Sequence, residues 1–470
     1  MKNILLVLAL GVAFSSMAQK LTLKKGVIVD SVQVNDSLVE SFALYLPKRF
    51  DVTKSWPVVF VFDMQGRGKQ SLGMFLEAAE KGGYILAASN NLQDSLSITK
   101  NVLITSRMFT TVATLFKIEK DRAYTAGFAA GGRLASVIPT FIKEIKGVIS
   151  SGASITNLGV LDVKRPFHFI GIVGVEDFNY PEMIQVQKVL DKMRFPNQLL
   201  VFEGADEWPT PKYLSQAFDF FTLAAMAKNQ IPKDTAYIAE TYAENVNEFN
   251  LLLGGVKPLL ANHLIEGMIS VYQPLIDIDP LLEQEKALRK EKLYRAQNRS
   301  QNNVFFKETL IKEDYSYYLE EDILTYNYNN LGWWNYQMQE LDKYEKSADQ
   351  FERRMGKRLR SYLNALIADN LDLLGMDEPS DLEAINLLLM LKTIIAPKEF
   401  DNYLKIISNS AEMNDYGTAL FYLEELLRQG FTDKTKLYAL ENTALLRITP
   451  EFNAIVEQYL KKARYEIIEE

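Results

Sequence analysis

Between residues 26 and 228 the chain alternates short apolar runs with amphipathic stretches, and beyond 232 the short runs stop. The runs VVFVFD, YILAASN, GVISSGA, FHFIGIVG and QLLVFEGA are continuous rather than alternating. That is the pattern of strands buried on both faces of a parallel sheet. Two earlier segments, VIVDSVQV from Gly26 and ESFALYLP, carry polar residues between them and read as an antiparallel pair. Apolar residues recur at helical spacing over 71–81, 99–117, 182–192 and 211–228. Strand alternating with helix predicts a doubly wound, mostly parallel sheet, with function gathered at the carboxyl ends of the strands.

Pro232 closes this half, and the chain then turns helical, broken only at points such as Gly254-Gly255, Pro280, Gly332, Gly375, Pro397 and Gly430. Three segments, ELDKYEKSADQF, PSDLEAINLLL and MNDYGTALFYL, align on Tyr344, Leu382 and Tyr416 at spacings of 38 and 34. This resembles tetratricopeptide repeats, which implies stacked helix pairs. Residues 449–465 read as a terminal capping helix. Tyr315, Tyr317, Tyr318, Tyr326, Tyr328, Trp333, Trp334 and Tyr336 either pack between helices or line a face for a protein or peptide partner.

The N-terminus adds an address. Lys2 precedes an apolar run from Ile4 to Phe14 and then Ser15-Ser16-Met17-Ala18. This is a secretory signal with cleavage expected after Ala18, too short for the ~20 residues of a membrane span. The expected organisation is a signal peptide at 1–18, the sheet domain at 19–232 and a helical domain at 233–470, in the periplasm or outside the cell. The chain of 470 residues contains no cysteine, so it has neither disulfides nor a thiolate nucleophile. Its formal charge of −8, or −9 once Lys2 leaves with the signal, disfavours nucleic acid and anionic membranes as partners.

The chemistry concentrates in DRAYTAGFAAGGRLAS, residues 121–136. A short strand, a corner flanked by Gly127 and Gly131, and a glycine-led helix make the nucleophile elbow, where G-x-S-x-G raises a serine above the sheet. Here the serine position is Ala129. After VVFVFD, the loop with Gln65 and Gly66 is placed to supply oxyanion-hole N–H groups together with Ala130. After FHFIGIVG, Asp177 stands where the acid of a triad belongs.

Gly127-Phe128-Ala129-Ala130-Gly131-Gly132 and Gly204-Ala205-Asp206-Glu207-Trp208-Pro209 resemble the elbow G-F-S-x-G-G and the histidine loop G-x-H-x-W-P of α/β-hydrolases. The branch they resemble is that of the polyhydroxybutyrate depolymerases, feruloyl esterases and dienelactone hydrolases. The resemblance covers about 41–228 and implies the α/β-hydrolase fold, with the order Ser…Asp…His at positions 129, 177 and 206. Two of those three positions have lost their chemistry, since Ala129 has no nucleophilic atom and Asp206 no imidazole. The only histidines are His168, inside a strand, and His263, in the helical half; neither is expected at the elbow. Asp177, Asp206 and Glu207 could together bind a hard cation through oxygen, but their spacing matches no metal loop, and no metal or other cofactor is expected. Glu207 and Trp208 are expected to line the cleft.

The reading that results is an exported pseudo-esterase that binds or scaffolds through its cleft and helices. Two alternatives stay open: an active esterase or peptidase with an unorthodox site, and a module that holds a small acyl or sugar ligand without cleaving it.

Overall fold

The computed structural model describes residues 23–35, 37–376, 379–461 and 463. The expected signal segment lies outside the described residues.

Eight strands form one sheet: β1 (Ile28–Gln33), β2 (Ser41–Tyr45), β3 (Trp56–Phe62), β4 (Ile85–Ser89), β5 (Ile118–Phe128), β6 (Ile145–Ser151), β7 (His168–Gly174) and β8 (Asn197–Phe202). Their order is β1-β2-β4-β3-β5-β6-β7-β8, and β2 alone runs against the rest. Every residue of β3, β4, β7 and β8 is buried, which is why these strands are written as unbroken apolar runs.

Five helices cover the two faces: α1 (Gly68–Gly82), α2 (Ile98–Leu115), α3 (Ala130–Phe141), α4 (Tyr180–Lys192) and α5 (Pro211–Ala227). One face packs Phe75 of α1 and Phe218 and Phe221 of α5 against Val59, Tyr124 and Ile170. The other packs Phe109 of α2, Ile138 of α3 and Leu190 of α4 against Phe60, Val148 and Phe169. A doubly wound sheet results, with loops gathered over the carboxyl ends of β5, β7 and β8.

Position 232 is a break in the element pattern but not in the packing. Asp234 caps α6 (Thr235–Gly254) by accepting from the N–H groups of Ala236 and Tyr237. There follow α7 (Pro258–Tyr272) and α8 (Asp279–Lys290). Ile238 and Phe249 of α6, Ile265 and Met268 of α7, and Leu281 and Leu288 of α8 all join the core of the first sheet face. Residues 235–290 thus complete the sheet domain instead of opening an independent one. Their amphipathic pattern announces an apolar face without saying what it covers.

The rest is helical: α9 (Lys292–Thr325), α10 (Leu331–Glu345), α11 (Gln350–Leu374), α12 (Leu382–Ile395), α13 (Phe400–Glu412), α14 (Tyr416–Arg428), α15 (Lys434–Tyr438) and α16 (Pro450–Leu460). Aspartates open several of them: Asp381 caps α12 and Asp415 caps α14, so Leu382 and Tyr416 fall at the same place in successive helix pairs. Tyr344 does not. It lies in the last turn of α10, because α11 has 25 residues where its counterpart α13 has 13, and the first pair is out of step. The aromatic residues divide. Tyr315 and Trp334 are buried in the core shared by α9 to α12, with the Trp334 indole donating to Asp322 at 2.7 Å. Tyr317, Tyr318, Tyr326 and Tyr336 are exposed.

Candidate functional site

Strand β5 ends at Phe128 and α3 begins at Ala130, so the chain must reverse at one residue. Ala129 does this with φ 48° and ψ −121°, a conformation that side chains other than glycine avoid. Its N–H donates to the Ser151 carbonyl at 2.9 Å. The reversal is tight enough to dictate its flanking residues. A Cβ on Gly127 would lie 2.3 Å from the Gly131 carbonyl carbon, and one on Gly131 would lie 2.2 Å from the Phe62 oxygen. Gly132 follows on the same close contact with β5 and β6. The elbow therefore keeps the strained geometry that presents a serine, and presents a methyl group. Ala129→Gly should stabilise the protein by about 1 kcal/mol, since it relieves a left-handed φ and removes only that methyl. Denaturant midpoints check this; an unchanged or lower stability would show that the corner is not strained.

Asp177 follows β7 and is 1% exposed. Its Oδ1 accepts the Asn179 N–H at 2.7 Å, while its buried Oδ2 has no hydrogen-bond partner. Loss of water pushes the carboxyl up to about 7; the Asn179 N–H opposes the rise, and the negative charge of Asp206 adds to it. The Asn179 side chain donates to the Gly152 carbonyl at 2.8 Å and so ties the acid loop to the end of β6. Gly152 separates acid from elbow, for a Cβ there would be 3.0 Å from both Asp177 Oδ2 and the Phe128 ring.

Asp206 stands exposed on the loop after β8. Partial loss of water raises its carboxyl, and Arg133, one helical turn below Ala129, opposes that rise. The charge of Asp206 is felt at Asp177 and that of Arg133 at Asp206, which puts the loop after β8 near the acid loop and the first turns of α3. Trp208 packs beside the elbow, its ring stacked on Phe128 with centroids 5.2 Å apart and meeting the edge of Phe75, and neither it nor Glu207 lines the groove beside Arg133 and Asn179. Glu207 is exposed beside it. Among the described residues no group of three or more His, Asp or Glu side chains is arranged to hold a metal ion.

The expected oxyanion loop is differently employed. The Gln65 N–H donates to Asp63 Oδ1 at 2.8 Å and the Gly66 N–H to the Asp63 carbonyl at 3.1 Å, so neither is free to face an oxyanion. Asp63 is itself held by Arg67 at 2.9 Å. Of the three expected donors, Ala130 keeps an N–H in the first turn of α3, where helix geometry leaves it without an intrahelical partner.

The histidines are elsewhere. His168 is buried at the start of β7 beside Gln198, and burial lowers it to about 4. His263 lies in α7 with its Nε2 3.5 Å from the Tyr180 hydroxyl.

Four residues of the helical half reach the site, and the local motifs gave no sign of them. Arg358 of α11 donates to the Val175 carbonyl at 2.8 Å, and Lys312 of α9 to the Phe178 carbonyl at 2.7 Å. The two cations bracket Asp177 in sequence. Both also pair with Glu308, at 2.6 and 3.0 Å; Arg358 is 2% and Glu308 1% exposed. Arg354 pairs with Glu203 and Lys357 with Glu176, so the loops after β7 and β8 are both held from α11. A groove of about 940 Å³ remains between Arg133, Asn179 and α4 on one side and α9 and α11 on the other.

The strand order with one reversed strand, the elbow at the end of β5 and the acid after β7 decide the architecture. The fold is that of the α/β-hydrolases. No protein-family model and no curated protein matches the chain. Among solved structures it is similar to a ferulic acid esterase, at 16% identity over 42% of this chain and 97% of the other, with a TM-score of 0.34. It is also similar to the S-formylglutathione hydrolase FrmB from Staphylococcus aureus, at 12% identity over 42% and 96%, TM-score 0.33. A third is Est1E from Butyrivibrio proteoclasticus, at 12% over 43% and 99%, TM-score 0.33. The α/β-hydrolase assignment rests on the topology and the elbow, not on these likenesses.

Proposed function

We propose that this chain is an exported α/β-hydrolase-fold protein that does not hydrolyse esters and acts by binding. The observation that carries the reading is Ala129: the backbone of a nucleophile elbow, with its positive φ, built around a side chain that cannot attack a carbonyl. The orphaned Asp177 Oδ2 supports it, because that oxygen faces no imidazole that it could orient. Export is proposed from the leader-like pattern at 1–18. The groove between the hydrolase face and α9 and α11 is proposed as the place where a small acyl or sugar ligand is held. The helices from α10 onward are proposed as a tetratricopeptide-like surface for a protein or peptide partner, with Tyr336 among its exposed aromatic residues.

Purified full-length protein should release p-nitrophenol from p-nitrophenyl acetate no faster than buffer, and a fluorophosphonate probe should leave its mass unchanged. A stoichiometric adduct, or turnover that copurifies with the chain, would sink this reading and favour an active enzyme with an unorthodox nucleophile.

A further inference from the structure

At the end of the sheet opposite the elbow, the edge strand β8 begins at Asn197 beside α4, α7 and α9. Junctions between packed helices and a sheet edge are ordinarily filled by apolar side chains. Here the facing positions are polar. On α7, Asn262, Glu266 and Ser270 follow one another at four-residue spacing, and on α9, Tyr294, Asn298, Gln301 and Phe305 share a face. Together with Gln187 of α4 they line a pocket of about 520 Å³, within the roughly 300–1,000 Å³ of small-ligand sites.

The hydrogen bonds show which groups are already committed. Glu266 accepts from Asn262 at 2.9 Å and pairs with Arg289, and Asp191 accepts from Asn197 at 2.7 Å. Burial holds His263 neutral, so it adds no charge. Lys188 is exposed at the rim. Gln301, 8% exposed, accepts the Tyr180 hydroxyl on Oε1 at 3.3 Å. That bond fixes the orientation of its amide and leaves Nε2 without a partner among the described residues. Asn298 is in the same state: its Oδ1 accepts from Asn302 at 3.4 Å and its Nδ2 is unused. Gln187 makes no side-chain hydrogen bond among the described residues. The free groups are therefore neutral amides, able both to donate and to accept, and the buried Nδ1 of the neutral His263, flanked by the Tyr294 and Phe305 rings.

We infer that this pocket binds a neutral saccharide of one or two rings. Sugar hydroxyls accept from the free amide N–H groups and donate to the amide oxygens, the C–H faces of the ring lie on the aromatic side chains, and the Glu266 carboxylate is already paired with Arg289. The site is separate from the elbow, so activity or labelling at the elbow would not bear on it.

Isothermal titration of the full chain with glucose, N-acetylglucosamine and cellobiose tests the inference, with adenosine and glycerol as comparisons. At least one of the three sugars should bind saturably. Asn298→Leu and Gln301→Leu should each weaken that binding about tenfold or more, and Ala129→Gly should leave it unchanged. Asn298 is only partly buried, so its replacement leaves the fold intact and carries the test even if Gln301→Leu fails to fold. Absence of binding by all three sugars, binding that survives Asn298→Leu undiminished, or binding of adenosine alone would each overturn it.

Discussion

Replacing Ala129 by Ser and Asp206 by His in the same chain is expected to turn on slow hydrolysis of p-nitrophenyl acetate, while each single variant stays at the level of buffer. Serine alone would sit in the strained corner with no base to take its proton, and histidine alone would have nothing to activate. Together they rejoin Asp177, and members of a triad act as a unit, so the gain is strongly non-additive. The structure also limits the gain. With the Gln65 and Gly66 N–H groups occupied by Asp63, Ala130 is the one expected oxyanion donor left. The loss of one such donor costs about 10²–10³ in rate. The double variant should therefore exceed the wild type yet fall short of a fully equipped esterase by about that factor, measured as p-nitrophenol release per titrated site. Equal rates in the double variant and Ala129→Ser would show that position 206 does not reach the elbow.

A second large effect is expected at Asp177, on stability. In the unfolded chain this carboxyl titrates near the ordinary aspartate value of about 3.9. In the folded protein burial raises it to about 7. Between those values the folded state keeps a proton that the unfolded state has released. The contribution is therefore full below pH ~4 and is lost as pH rises through about 7. At ~1.4 kcal/mol per pH unit, the gap corresponds to about 4 kcal/mol. Asp177→Asn keeps an oxygen for the Asn179 N–H and cannot ionise. It should be more stable than the wild type by about 2–4 kcal/mol at pH 8 and no more stable at pH 4, as read from denaturant midpoints across that range. Parallel pH profiles for the two proteins would mean that Asp177 carries its charge in the fold without penalty.

The parts of this molecule that were legible in the sequence are those with local causes. Two-sided burial wrote β3, β4, β7 and β8 as apolar runs, and close backbone approach wrote Gly127 and Gly131 around Ala129. Asp177 and Asp206 were legible from their places after strand runs, because chain order fixes which loops share the carboxyl end of the sheet. What escaped depended on partners far away in sequence. The amphipathic faces of α6 to α8 do not say that they lie on the sheet. A glycine-containing loop does not say that Asp63 has taken its N–H groups. The alignment on Tyr344 failed because helix length, which spacing alone does not reveal, changes between pairs. Arg133 is the cleft residue with the most local signal: it lies four residues beyond Ala129 on the glycine-led helix and lines the groove.

The bracket that Arg358 and Lys312 place around Asp177 also sets an order of assembly. The bond from Arg358 to the Val175 carbonyl joins residues 183 apart. Until α9 and α11 pack against the hydrolase face, the acid loop lacks the bonds that hold its two ends. The loop nearest the elbow is thus completed only by contacts that the far half of the chain supplies.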